Sequence, residues 1–399
     1  MIHHWLALDE VPMNVRPHRY QKQARAKLSD IFTKPHSRPV FSRETGGGCH
    51  TLAAGLIPAV MLFVVLGTGV FAVNTVNKAA APQKAGTNLI QKPTGPLHPT
   101  TEQLIDEAAL SRHRTGKMVL LHINDVHEIL KPPAKGLGGL AYVAGYASQV
   151  RAKRPDTLFL DAGDILEKGD KMSQASRGEA SYRVLGAIGL DCTVPGNHDF
   201  VFGLERLLEN IKLVNLPIIC AGMIYNDTKE PVLPETMIKQ VGSLKVGIIG
   251  ATIGRTARSE RPVTQFANAE LGKRINELAR KMEAEVDLTI LVLHNGTYAG
   301  NVMAKAAPTV DIVVTGHTNE VTEVPAKAET GALILAVGRA GQWVGTMDLV
   351  VDCDQKKVAR YTYEMIPMDH NKIQPDEKIA RLVDELDRKW CPEDHVANN

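Results

Sequence analysis

The chain has 399 residues, and 44% of them are apolar, enough for a packed core in one large α/β domain or in two or three average ones. A net charge of +2 argues against a protein that binds duplex nucleic acid through a basic surface. The five cysteines (Cys49, Cys192, Cys220, Cys353, Cys391) form no CxxC pair, which excludes a zinc ribbon or a thioredoxin-like motif. They are expected to be buried, idle thiols, with one disulfide open to a domain outside the cytoplasm.

Residues 1–50 read as a polar, mildly basic tail. No charged residue occurs between Glu44 and Lys78, and residues 51–73 within that gap read TLAAGLIPAVMLFVVLGTGVFAV. That matches the roughly 20 residues that cross hydrocarbon, so a transmembrane signal anchor is expected there. A buried core helix and a cleaved leader are the alternatives. Eight Lys/Arg precede the span and three follow it before residue 101. This asymmetry votes for an inside N-terminus, with the remainder on the periplasmic or cell-surface side. Residues 74–116 read as a linker ending in a short helix over 101–112. The folded domain is expected over 117–370, with a C-terminal helix and tail over 371–399.

From residue 117 strands and helices alternate. Apolar runs predict strands at 118–123, 157–160, 192–194, 217–220, 245–249, 288–293 and 310–314. Helices are expected at 138–150, 176–188 and 203–213. Strands at 332–336 and 344–351 follow without intervening helices, and a last amphipathic helix covers 376–389. This order argues α/β with a partly mixed sheet.

Five polar clusters fall at or just after strand ends. They are Asp125-Val126-His127, Gly163-Asp164, Gly196-Asn197-His198-Asp199, His294-Asn295-Gly296 and Gly316-His317-Thr318-Asn319. Each alone is ordinary turn chemistry. Together, in order, each offers a metal-competent side chain at the edge where open α/β sheets bind ligands. Two neighbouring divalent ions need a shared carboxylate and further ligands on each side. The mixture of nitrogen and oxygen donors suits Mn, Fe, Zn or Co better than Ca or Mg.

The clusters resemble those of the calcineurin-like metallophosphoesterase superfamily. They look most like the catalytic domain of the periplasmic and cell-surface 5′-nucleotidases and 2′,3′-cyclic-nucleotide phosphodiesterases. The similar text includes LLHINDVHE (120–128), the run to LFLDAGD (138–164), TVPGNHDF (193–200), LHNG (293–296), VDIVVTGHTN (310–319) and VGRAGQWVGTMDLVVD (337–352). It covers about residues 117–370. The resemblance implies a four-layer α/β/β/α sandwich and hydrolysis of a small phosphomonoester or phosphodiester, a nucleotide among the candidates, by a metal-activated water. Carried over by motif position, Asp125 and His127 hold the first ion and Asp164 bridges both. Asn197, His294 and His317 hold the second, and Asn319 completes the first. His198 stands outside the ions, against the phosphate.

Three departures qualify the match. Glu128 replaces the usual Gly after the first His and is expected to point to solvent. Val201 stands where a carboxylate often pairs with the catalytic His. Glu167 is a candidate substitute, while Asp199 is expected to hold the loop. The chain also ends about thirty residues after the domain, so the aromatic base-binding domain of the nucleotidases is expected to be absent from it. Three alternatives stay open: a thiosulfate-ester hydrolase, a phosphoprotein phosphatase, and a non-catalytic membrane-tethered binding module. His122 reads as a core histidine, and Arg255 and Arg258 as solvated loop charges.

Overall fold

The computed structural model describes residues 98–133, 136–166, 170–253 and 258–396, together with two short strands nearer the N-terminus. The chain forms two units, residues 1–86 and 87–399. In the first, β1 (Phe63–Val65) pairs antiparallel with β2 (Val70–Ala72). The described part of the apolar stretch is therefore extended, where a helix was expected. Val and Phe, which make up most of these two segments, favour strands. The rest of 51–73 lies outside the described residues. No described helix is long and apolar enough to cross a membrane.

The second unit contains β3 (Thr100–Gln103), β4 (Thr115–Ile123), β5 (Thr157–Asp161), β6 (Cys192–Thr193), β7 (Met223–Tyr225), β8 (Thr236–Val241) and β9 (Leu244–Thr252). β10 (Val263–Gln265), β11 (Leu288–His294), β12 (Ile312–Thr315), β13 (Ala326–Lys327), β14 (Leu333–Leu335), β15 (Trp343–Asp352) and β16 (Lys357–Pro367) follow. They build two six-stranded sheets, ordered β3-β16-β15-β4-β5-β6 and β13-β14-β12-β11-β9-β8, and a small β10-β7 pair. β4, β5 and β6 run parallel in the first sheet, as do β9, β11, β12 and β14 in the second.

Both faces of these strands are buried, which explains their unbroken apolar runs. Side chains alternate along a strand. In β4, Met118 and Leu120 enter a central layer with Ile248, Ile290 and Val314 of the other sheet. Val119, Leu121 and Ile123 face the opposite way, against the helices Leu140–Lys153 and Glu377–Trp390. On the far side, Ile249, Leu291 and Val313 pack under the helices Asn268–Met282 and Gly296–Ala306. Helix, sheet, sheet, helix is the expected four-layer order.

Several local expectations change. The helix expected over 101–112 is the strand β3 followed by a single turn, Glu107–Leu110, capped by Asp106. β3 pairs with β16, some 260 residues away, so local pattern could not announce it. The first sheet consequently reaches back beyond residue 117. The helix expected over 176–188 is two, Lys171–Ser176 and Glu179–Leu185, broken where Arg177 and Gly178 take φ values of 51° and 84°. Residues 217–220 form no strand; bridges tie Ile218 to Thr193 and Ala221 to Ala251. β8 and β16 were not anticipated.

His122 is the core histidine expected. It is fully buried, and Nε2 lies 3.2 Å from the Tyr363 hydroxyl. Burial pushes the imidazole down to about 3, so it is neutral. The facing residue in β15 is Gly345, where a Cβ would stand 2.0 Å from His122 Nε2. Cys192, Cys220, Cys353 and Cys391 are free and buried, and Cys49 lies outside the described residues.

Candidate metal centre

The five clusters converge because they occupy the carboxyl ends of adjacent parallel strands. Asp125 and His127 follow β4, Asp164 follows β5, and Asn197 and His198 follow β6. His294 ends β11, and His317 and Asn319 follow β12. Five of these residues take left-handed backbone conformations: Asp125 (φ 53°), His127 (50°), Asp164 (60°), His317 (86°) and Asn319 (53°). Such conformations cost free energy in non-glycine residues and persist where surrounding bonds enforce them. Here Asp125 N–H donates to Gly163 O at 2.9 Å and His127 N–H to Asp164 O at 2.9 Å.

Two clusters of potential ligands result. Asp125, His127 and Asp164 form one, and Asp164, His294 and His317 the other. Within each, the ligand atoms lie within 4.8 Å of one another, and Asp164 belongs to both. Asn197 Oδ1 joins the second cluster, 2.7 Å from His317 Nδ1 and 3.2 Å from His294 Nε2. His294 Nδ1 lies 2.7 Å from Ala162 O. A carbonyl can only accept, so Nδ1 carries a proton, and Nε2, 3.1 Å from Asp164 Oδ2, is the nitrogen that a cation would claim by displacing its proton. The Asn319 Oδ1 is buried with no hydrogen-bond partner among the described residues. Buried oxygens are nearly always satisfied, so this oxygen, two residues after His317, fits a role as a cation ligand.

Glycine lets the loops approach the carboxylates. A Cβ at Gly196 would lie 2.0 Å from Asp164 Oδ1, and one at Gly316 2.8 Å from Asp125 Oδ2. Asp164 Oδ1 accepts instead from His198 N–H at 2.8 Å, and Asp125 accepts from His317 N–H at 2.9 and 3.0 Å. Negative charge accumulates here. Burial disfavours the His294 imidazolium, but the Asp164 carboxylate outweighs this and holds its pKa at about 9. Burial raises Asp161 to about 8. Burial, with the Asp164 charge, raises Asp199 to about 7. A divalent ion would relieve that repulsion.

His198 is half-buried, and its ring meets His127 edge-on at 5.5 Å between centroids. Val201 packs against the hydrophobic core and brings no carboxylate. Glu167 and Arg255 lie outside the described residues, and Arg258 is exposed. Asp199 is buried and bonds to backbone N–H groups of Gly196, Asp164 and Leu166. Glu128 corrects an expectation: it is 3% exposed, not solvated, and Oε2 accepts from Asp170 N–H at 3.1 Å. Its backbone is left-handed, with φ 63°. Sequence reasoning missed Asn124, which donates to Asp125 Oδ2 and Gly338 O and accepts from Val337 N–H. The Asn-Asp pair was visible, but the partners lie more than 200 residues on.

Two facing mixed sheets with a shared carboxylate at their common edge define an α/β protein built around a dinuclear ligand set. The calcineurin-like phosphoesterase model matches residues 118–320, and the chain belongs to that family. It is 29% identical over 306 residues to the snake venom 5′-nucleotidase of Gloydius brevicauda, covering 68% of this chain and 51% of the relative. Among solved structures, a 5′-nucleotidase precursor of Thermus thermophilus superposes with a TM-score of 0.61 at 20% identity, covering 71% of this chain and 60% of that one. The sulfate thiohydrolase SoxB of Thermus thermophilus gives 0.60 at 18%, covering 69% and 61%. At those identities the superpositions establish the fold. The chain spans about half the length, or less, of the first curated relatives it matches.

Proposed function

We propose that this chain is a metal-dependent hydrolase of a small phosphomonoester or phosphodiester, with nucleotides the first class to test. The carrying observation is the pair of ligand clusters that share Asp164. Asp125, His127, Asp164 and Asn319 would hold one ion; Asp164, Asn197, His294 and His317 the other. Mn, Fe, Zn or Co suits such donors. When bound, the pair supplies Lewis acidity and an activated water. His198 stands beside this centre with its backbone fixed on Asp164. From there its ring can donate to a phosphoryl oxygen and pass a proton to the leaving oxygen. The relatives named 5′-nucleotidases support the choice of nucleotides, and the retained His198 counts against a thiosulfate ester.

The test is hydrolysis by the purified full-length chain loaded with Mn²⁺. The substrates are p-nitrophenyl phosphate, bis-p-nitrophenyl phosphate, nucleoside monophosphates and cyclic nucleotides. Turnover of at least one is expected; inert protein with two Mn²⁺ bound would defeat the proposal.

The charge-free stretch 51–73 supports a second part of the reading, a membrane anchor with the hydrolase domain on the periplasmic or cell-surface side. In hydrocarbon a two-stranded pair would leave its outer backbone groups unsatisfied, whereas a helix would not. Resistance of the chain to alkaline extraction from membranes is the expected result. Release into the soluble fraction, with the N-terminus intact, would refute it.

A further inference from the structure

Asp199 follows His198 in the chain but turns to backbone. Its Oδ2 accepts from Gly196 N–H at 2.6 Å and Asp164 N–H at 3.0 Å, and its Oδ1 from Leu166 N–H at 3.3 Å. Tyr182, 2% exposed in the helix Glu179–Leu185, stands near enough that burial and the Asp199 carboxylate together raise its phenol well above the usual value. One carboxyl thus ties the loop after β5 to the loop after β6. Those two loops carry Asp164 and Asn197, and they touch backbone to backbone. A Cβ on Gly163 would meet Gly196 N at 2.7 Å, and one on Gly196 would meet Asp164 N at 2.4 Å.

We infer that Asp199 and Tyr182 form a positioning pair that presets the separation of Asp164 and Asn197 for metal binding. Asp199 is then not the proton partner of His198. This inference rests on the two-metal reading of the site. Chemistry favours a carboxylate here because all its partners are donors. Ionised, it is acceptor-only on both oxygens, whereas an amide would aim its own N–H bonds at one of the backbone donors. The Tyr182 phenol stands near the carboxylate from outside the two loops, so the helical layer can brace the clamp. Partners behind a metal site that orient its ligands commonly matter ~10–100-fold for metal affinity.

The experiment measures Mn²⁺ binding to metal-free full-length protein by equilibrium dialysis, and the pH profile of kcat at saturating Mn²⁺. Asp199→Asn is expected to lose about 10–100-fold in Mn²⁺ affinity. Tyr182→Phe should lose less, in the same direction. Neither should displace the limbs of the pH profile. A folded Asp199→Asn protein with wild-type Mn²⁺ affinity, or with a displaced pH limb, overturns the inference. If Asp199→Asn does not fold, Tyr182→Phe decides: unchanged Mn²⁺ affinity overturns it. Wild type that binds no Mn²⁺ defeats both this inference and the function proposed above. Wild type that binds Mn²⁺ without hydrolysis defeats only the latter.

Discussion

Asp164→Asn is expected to lower kcat/KM for a phosphoester by about 10³-fold or more, with Mn²⁺ stoichiometry falling below two. Among the described residues, Asp164 is the member shared by both ligand clusters. Its Oδ2 lies 3.1 Å from His294 Nε2, and its Oδ1 receives His198 N–H at 2.8 Å. An amide of the same shape can still accept from His198 N–H, so the loop should keep its place. It has no negative charge, and one of its two ligand oxygens has become a donor. Metal-centred stabilisation amounts to several kcal/mol, and each 1.36 kcal/mol is about tenfold in rate, which sets the expected loss. Circular dichroism should show a wild-type fold, and metal analysis with steady-state kinetics supplies the decision. Full turnover with two ions still bound would remove Asp164 from the centre.

His198→Ala separates a different role. Its expected effect is a fall in kcat of about 10²–10⁴-fold, the usual range for a lost acid–base group. Mn²⁺ stoichiometry should stay unchanged. The reason lies in its position: the ring meets His127 edge-on, and the anchoring bond to Asp164 comes from the His198 backbone, which alanine keeps. Leaving groups that need a proton should suffer most, so the loss should be larger for a nucleoside monophosphate than for p-nitrophenyl phosphate. Loss of an ion from the variant would instead make His198 a ligand. Equal losses on the two substrates would argue against proton donation.

The ligand clusters were legible because each lies in a few residues directly after an apolar strand. Asp125 and His127 follow 118–123, and His294 closes β11. The strands that carry them announced themselves by burial on both faces, which leaves unbroken apolar runs such as 288–293. Elements whose existence depends on distant partners were less visible. β3 is a strand because β16 lies beside it, and Thr100–Gln103 by itself has no pattern to say so. Glu128 looked like a solvated substitution, since nothing in its sequence neighbourhood shows the Asp170 N–H that donates to it.

The amino-acid sequence alone determined the donor types, their order and their attachment to strand ends, because side-chain chemistry and local periodicity need only near neighbours. The tertiary structure decided how those donors act. It sets the tautomer of His294 through Ala162 O, 132 residues earlier, and joins Asp125 to His317 across 192 residues. It also turns Asp199 from the neighbour of His198 into a clamp on the Asp164 loop. The first two bonds are fixed only when the two sheets close on each other, and the third when β5 and β6 pair within one sheet, since each partner is supplied by a separate strand end.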